Sequence, residues 1–299
     1  MKSRSLLISG FAALLSQILF SAPLLAEGPT SAEYGVVLNL SGKQRMLSQK
    51  MSKEIMLIAL DVDKDANLGN LEKTSALFDK TLKGLRNGSE ELRLPPTSSD
   101  RILRQLDTID GIWAEFYPVV QEVIAGKAVS KEQVALVAEK NLPLLKEMNK
   151  AVGLYEKDAK KGGLKADPGL AATLNLSGKQ RMLTQKMSKE FLLVAYGHQP
   201  EDNKLSLLET YSLFERTLKG LLDGDETLGL PGTKPQEIRD QLAVVNGLWT
   251  QFKPIVEFGA DPKTSEIPKD KITMLAESNL PLLQEMNKAV GMYEKEAAK

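Results

Sequence analysis

Two arginines, Arg45 and Arg181, sit within two nearly identical sixteen-residue segments. Asn39 to Glu54 reads NLSGKQRMLSQKMSKE, and Asn175 to Glu190 reads NLSGKQRMLTQKMSKE, so that only Ser48 against Thr184 differs. A guanidinium presents a planar fork of donors that suits planar oxyanions. Two such forks facing across a close helix–helix contact could hold one small anion, and without it they would repel each other. The chemistry this pattern offers is anion binding with a conformational consequence.

The neighbours of the arginines fit that chemistry. At 100° per residue, Tyr34, Leu38, Ser41, Gly42, Ser48, Gln49, Ser52 and Met56 fall within about 60° of Arg45 on one helix face. The second segment repeats the polar strip as Ser177, Gly178, Arg181, Thr184, Gln185 and Ser188. Small residues let another helix backbone approach. A glycine in a helix interior costs about 0.5–1 kcal/mol relative to alanine, and the cost recurs at Gly42 and Gly178. The plainer alternative is that this strip faces water. Against it, the two copies differ less here than along their apolar stripes. Those are Val37, Leu40, Leu47, Met51, Ile55 and Ile58 in the first copy, and Thr173, Leu176, Leu183, Met187, Phe191 and Val194 in the second. Gln44 and Gln180 fall within the apolar stripes, where burial would demand a hydrogen-bond partner. The candidate ligand-binding residues are Arg45, Arg181, Gly42, Gly178, Ser41, Ser177, Ser48, Thr184, Gln49 and Gln185.

Other chemistries find little support. The chain contains no cysteine, which removes disulfides, thiolate metal sites and thiol nucleophiles. Its one histidine, His198, stands in Gly197-His198-Gln199-Pro200 at a helix end and reads as a surface residue. No nucleophile–base pair and no metal-ligand spacing is visible, so neither an enzyme, a cofactor nor a metal site is expected. Lys2 and Arg4 leave with a cleaved leader, so the remaining chain carries 37 basic against 39 acidic residues. That balance argues against nucleic acid as a partner.

The elements that position the arginines come in duplicate. FDKTLKGL from Phe78 answers FERTLKGL from Phe214, and Trp113 answers Trp249. NLPLLKEMNKAVGLYEK from Asn141 answers NLPLLQEMNKAVGMYEK from Asn279. The offset is 136 residues as far as the tryptophans and 138 later, so the second copy carries a two-residue insertion. The chain is two copies of one domain. Four helices read out of the first copy: Ser31–Asp63, Leu68–Arg86 ending at an αL cap around Asn87-Gly88, Ser98/Asp100–Ala125, and Ser130–Lys160 opened by a Ser130/Gln133 capping box. Pro118 and Pro143 fall inside the last two and should kink or end them; Pro254 and Pro281 repeat them. Trp113 and Trp249 read as core. Short loops and the lack of strand signals predict an all-α fold of two tandem antiparallel four-helix bundles. The expected division is a signal peptide over 1–26, a bundle over 27–161, a linker over 162–169 and a second bundle over 170–299. The leader reads as secretory: a basic start, a largely apolar run from Leu6 to Ala26, then a polar stretch. Cleavage would place the protein in the periplasm of a bacterium; without cleavage it would stay membrane-anchored.

The pattern Asn39, Gly42, Arg45-Met46, Ser48 and Lys50, repeated as Asn175, Gly178, Arg181-Met182, Thr184 and Lys186, resembles the ligand-recognition box of the NarX-like sensor domain. That domain forms the periplasmic N-terminus of nitrate/nitrite sensor kinases and of the type IV pilus chemoreceptor PilJ, and the wording here is nearer to the PilJ type. The resemblance implies an antiparallel four-helix bundle with the box on its first helix at a dimer interface. It also implies that arginines from two protomers hold one small anion, helped by backbone near the glycine. Here Arg45 and Arg181 would be those arginines. Lys50 and Lys186 stand where the nitrate sensors have arginine, so the likeness implies a small anion, or another small polar ligand, without naming it.

Members of that family usually continue into a membrane helix and a signalling region. This chain would therefore work with a separate membrane chemoreceptor or sensor kinase. The expected assembly is an intramolecular pseudo-dimer with Arg45 facing Arg181, or else a homodimer in which each box meets another molecule. The alternative function is a ligand-free periplasmic helical adaptor or scaffold.

Overall fold

The computed structural model describes residues 28–165 and 167–299. The expected signal peptide lies outside them. Eight helices follow in order: α1 (Ser31–Ala59), α2 (Lys64–Asn87), α3 (Asp100–Gly126), α4 (Lys131–Lys161), α5 (Pro168–Tyr196), α6 (Pro200–Asp223), α7 (Gln236–Ala260) and α8 (Lys269–Ala297). A 3₁₀ turn, Glu226–Leu228, lies between α6 and α7. Among the described residues no strand forms; isolated bridges Ser89–Leu94 and Asp225–Leu230 close two equivalent loops. The all-α fold of two tandem four-helix bundles is as the sequence predicts.

Local chemistry sets the helix ends. Thr30 opens α1 with a capping box to Glu33, and Ser130 opens α4 with one to Gln133. α1 stops at Ala59 rather than Asp63, because Asp61 and Asp63 turn left-handed at φ 56° and 43°. α2 therefore starts at Lys64, four residues before the expected Leu68. Gly88 is not an αL cap: its φ of 82° is paired with ψ 161°, a conformation that also favours glycine. Ser99 precedes α3 without a side-chain capping bond. Pro118, Pro143, Pro254 and Pro281 end no helix; all four lie inside continuous ones. The insertion in the second copy fits the loop 261–268, longer than its counterpart 127–130.

Within each bundle the first helix packs between the second and the fourth, and the third closes the opposite side. Phe78 meets Trp113 with ring centroids 4.4 Å apart, and Phe214 meets Trp249 at 4.7 Å. Both tryptophans are buried core residues. The apolar stripes of α1 and α5 are buried except for the half-buried Leu40 and Leu176. Gln44 and Gln180, within those stripes, donate to the backbone carbonyls of Phe78 and Phe214 at 2.8 Å each. Where the copies diverge, a larger side chain on one helix is met by a smaller one on its neighbour. Phe191 replaces Ile55, and Gly259 replaces Val123; a Cβ on Gly259 would overlap the Phe191 ring.

α1 and α5 also pack lengthwise on each other, flanked by α8 and α4. The two copies of the sixteen-residue segment thus lie in one central seam.

Candidate functional site

The polar strip does not face water. Ser41, Gly42, Ser48, Gln49 and Ser52 are buried in the seam, and Arg45 and Arg181 are only 2% and 1% exposed. Gly42 and Gly178 bring the two helices together. A Cβ built on Gly42 would lie 3.7 Å from Gly178 Cα, 3.4 Å from Arg45 Nη2 and 3.7 Å from Arg181 Nη2. The same construction on Gly178 meets both Nη2 atoms at 3.5 and 3.6 Å. Both guanidinium tips therefore converge on one glycine–glycine contact.

Each arginine crosses the seam. Arg45 Nη2 donates to the backbone carbonyl of Asn175 at 2.9 Å, and Arg181 Nη2 donates to that of Asn39 at 2.9 Å. The other ends point away from each other. Arg45 Nη1 donates to Asn149 Oδ1 on α4 at 3.0 Å, and Arg181 Nη1 donates to Asn287 Oδ1 on α8 at 2.8 Å. Both Nε–H groups are buried without a partner. Asn175 and Asn39 in turn donate through their side chains to Glu156 and Glu294. These carboxylates act on the arginines only from this second position; among the described residues no carboxylate forms an ion pair with either one.

The other predicted site residues are in the seam, but several turn their polar groups elsewhere. Ser48 and Thr184 hydroxyls donate to the carbonyls of Arg45 and Arg181, both at 2.8 Å. Ser41 and Ser177 donate to Leu38 and Leu174 in their own helices. Gln49 and Gln185 donate to Ser48 and Thr184, which leaves both Oε1 atoms buried without a partner.

Two turns further along lies a second polar layer that the sequence reading did not include. Lys53 Nζ donates to Asn279 Oδ1 of the other bundle at 2.8 Å, and Lys189 Nζ to Asn141 Oδ1 at 3.2 Å. Asn141 is fixed by donating to the Ser48 carbonyl and Ser52 Oγ, and Asn279 by donating to the Thr184 carbonyl and Ser188 Oγ. Glu54 and Glu190, also buried, pair with Lys50 and Lys186. Asn39, Lys53 and their counterparts lay inside the repeated box, and Asn141, Asn149 and Glu156 inside the other repeated segment. Identity between the copies was the signal that could have found them.

The seam is electrostatically positive. Burial, reinforced by Arg181 and opposed by Glu156, lowers the Arg45 pKa to about 9; burial, opposed by Glu294, lowers that of Arg181 to about 10. Burial pushes Lys53 and Lys189 down to about 8. Lys43 and Lys179 are lowered too, by burial first and then by Arg181 and Arg45 respectively. At neutral pH Arg45, Arg181, Lys53 and Lys189 remain charged at the α1–α5 contact, and among the described residues none of the four forms an ion pair. Buried charges are usually paired, and these four have no carboxylate in direct contact among the described residues.

Among the described residues no group of three or more metal-ligating side chains is found, and no helix is long and apolar enough to cross a membrane. His198 is half-buried just after α5, its N–H bound to the Leu193 carbonyl at 3.0 Å. The family model described as the N-terminal part of type IV pili methyl-accepting chemotaxis transducers, PilJ, matches residues 31–143 and 165–272. Those two tandem segments make up more than half of the chain. No curated protein matches the chain.

Proposed function

This chain belongs to the PilJ family, and we propose that it is a periplasmic sensing protein in which Arg45 and Arg181 together hold one small oxyanion. The observation that carries this reading is the convergence of two buried, carboxylate-free guanidiniums on the Gly42–Gly178 contact. In the dimeric sensors this chain resembles, two protomers supply the arginines. Here one chain supplies both, so residues 27–161 and 170–299 act as the two halves of a pseudo-dimer joined through 162–169. An anion on the seam neutralises charge that otherwise strains the α1–α5 packing. It thereby favours one arrangement of the two bundles over others. A separate membrane chemoreceptor or sensor kinase reads that arrangement.

A second reading has its own support. Both Nη2 atoms bond to carbonyls of the opposite helix, so the arginines also act as staples between bundles. In that case the chain is a ligand-free adaptor. A thermal-shift screen against nitrate, nitrite, sulfate, phosphate and small carboxylates separates the two. A binder of the folded chain at a hundred times its Kd adds about 2.7 kcal/mol of stability. A raised midpoint that is lost in Arg45→Ala and in Arg181→Ala supports the sensor; no shift with any of these anions supports the adaptor.

A further inference from the structure

The buried arginines have one outward route each. Their Nη2 ends are enclosed by the glycine contact and by backbone carbonyls of the opposite helix, which cannot move without unwinding it. Their Nη1 ends lead instead to Asn149 and Asn287, and both of these residues are exposed. An exposed side-chain amide can rotate away without disturbing a helix. Outside Asn149 runs an open groove of about 560 Å³, lined by Leu142, Leu145, Lys146, Asn149 and Lys150. The two lysines make it attractive to anions. Lys150 is held by Glu147, whereas Lys146 is exposed and makes no ion pair among the described residues. The unpartnered Arg45 Nε–H lies on the same guanidinium, so rotation of Asn149 leaves two donors of one buried cation in need of an acceptor.

We infer that Asn149 and Asn287 are the two gates of the arginine site, and that a small anion enters by displacing their side-chain amides from Arg45 and Arg181. This rests on the anion-binding reading above. An anion arriving at Nη1 replaces a neutral acceptor with a charged one, and a charge-assisted bond is the stronger of the two. Released from Asn149, the Arg45 guanidinium can draw back toward α4 and make room beside Gly42 and Gly178.

Access can be measured without knowing the anion. The full chain is treated with 2,3-butanedione, a small arginine reagent, and modification at each arginine is followed by peptide mass spectrometry. Asn149→Ala should speed modification of Arg45 by about tenfold or more, tenfold being close to the lower end of what one hydrogen bond to a charged group is worth, and leave Arg181 unchanged. Asn287→Ala should do the reverse. Unchanged labelling, or equal acceleration at both arginines, overturns the gates even if anions bind. A second variant tests displacement itself. Asn149→Asp with Asn287→Asp places a carboxylate where the anion would arrive, so the double variant should be more heat-stable than the parent and insensitive to the oxyanion that shifts the parent. A double variant that responds to that oxyanion as the parent does overturns the inference and leaves the arginine site standing. If no anion shifts the parent while the labelling follows the gates, the anion-binding reading fails and Asn149 and Asn287 stand as gates for small polar solutes only.

Discussion

Arg45 Nη2 donates across the seam to the backbone carbonyl of Asn175, 2.9 Å away in the other bundle. Arg181 returns the bond to Asn39 at the same distance. The two halves of the duplicated chain are thus joined by the residues that would hold a ligand. On the proposed function, holding the bundles together and sensing an anion would be the same event.

The two roles separate on substitution. Replacing a whole buried ion pair by apolar side chains of similar volume is often neutral, or stabilising by about 1–4 kcal/mol, because the desolvation cost goes and no charge is left unpaired, whereas removing one partner costs about 3–5 kcal/mol. Among the described residues Arg45 has no ion-pair partner to strand, so Arg45→Met should leave the anion-free stability unchanged or raised while abolishing any oxyanion response. Denaturant unfolding checks this. A loss of several kcal/mol would mark the arginine as mainly a staple.

Gly42 offers a complementary test. A Cβ at this position meets nothing closer than 3.4 Å, which is ordinary contact. Gly42→Ala should therefore gain about 0.5–1 kcal/mol from helix propensity. The added methyl sits beside both Nη2 atoms, so the same variant should respond less to the oxyanion. Greater stability together with weaker binding, seen in one thermal-shift series, would show that glycine is kept here for the ligand.

The buried lysines predict a pH dependence. Lys53 and Lys189 are pushed from the ordinary 10.5 down to about 8, so between these values the unfolded chain binds more protons than the folded one. Stability should accordingly rise with pH above about 8, each lysine contributing up to about 1.4 kcal/mol per pH unit. Arg45, lowered to about 9, adds to the rise from there. Tyr155 and Tyr293 are pushed up to about 12 by burial, which opposes and weakens the rise above pH 10. Urea unfolding at pH 7, 8, 9 and 10 should show the rise, and Lys53→Met with Lys189→Met should flatten it. A parent chain that loses stability over this range would contradict the lysine layer.

The divergence between copies predicts a compensated pair. Gly259→Val alone should overpack the second bundle against Phe191 and cost about 1–3 kcal/mol. Adding Phe191→Ile restores the first copy's combination, Ile55 with Val123, and should recover most of the loss. A double variant no better than the single would break the equivalence of the two cores.

Much of this was legible in the residues. Helical periodicity and capping signals gave the bundles, and the strip of Ser, Gly, Gln and Arg marked the face of α1 that meets α5. The end of α1 was missed because Asp61 and Asp63 carry no strong stop signal until their left-handed turn is seen. The lysine layer was missed for another reason. Lys53 lies on the same side of α1 as Arg45, yet a lysine in a helix reads as solvated until a partner such as Asn279 is brought over it from the other bundle. Asn149 was equally hidden, since its tie to Arg45 spans 104 residues.

The measurement that bears most directly on a shared anion site is calorimetric titration of the whole chain with the oxyanion giving the largest thermal shift, repeated on Arg45→Ala and on Arg181→Ala. One anion per chain, with binding lost in either variant, is the expected result. Two anions per chain, with each variant keeping one, would contradict the shared site and leave two independent half-sites instead.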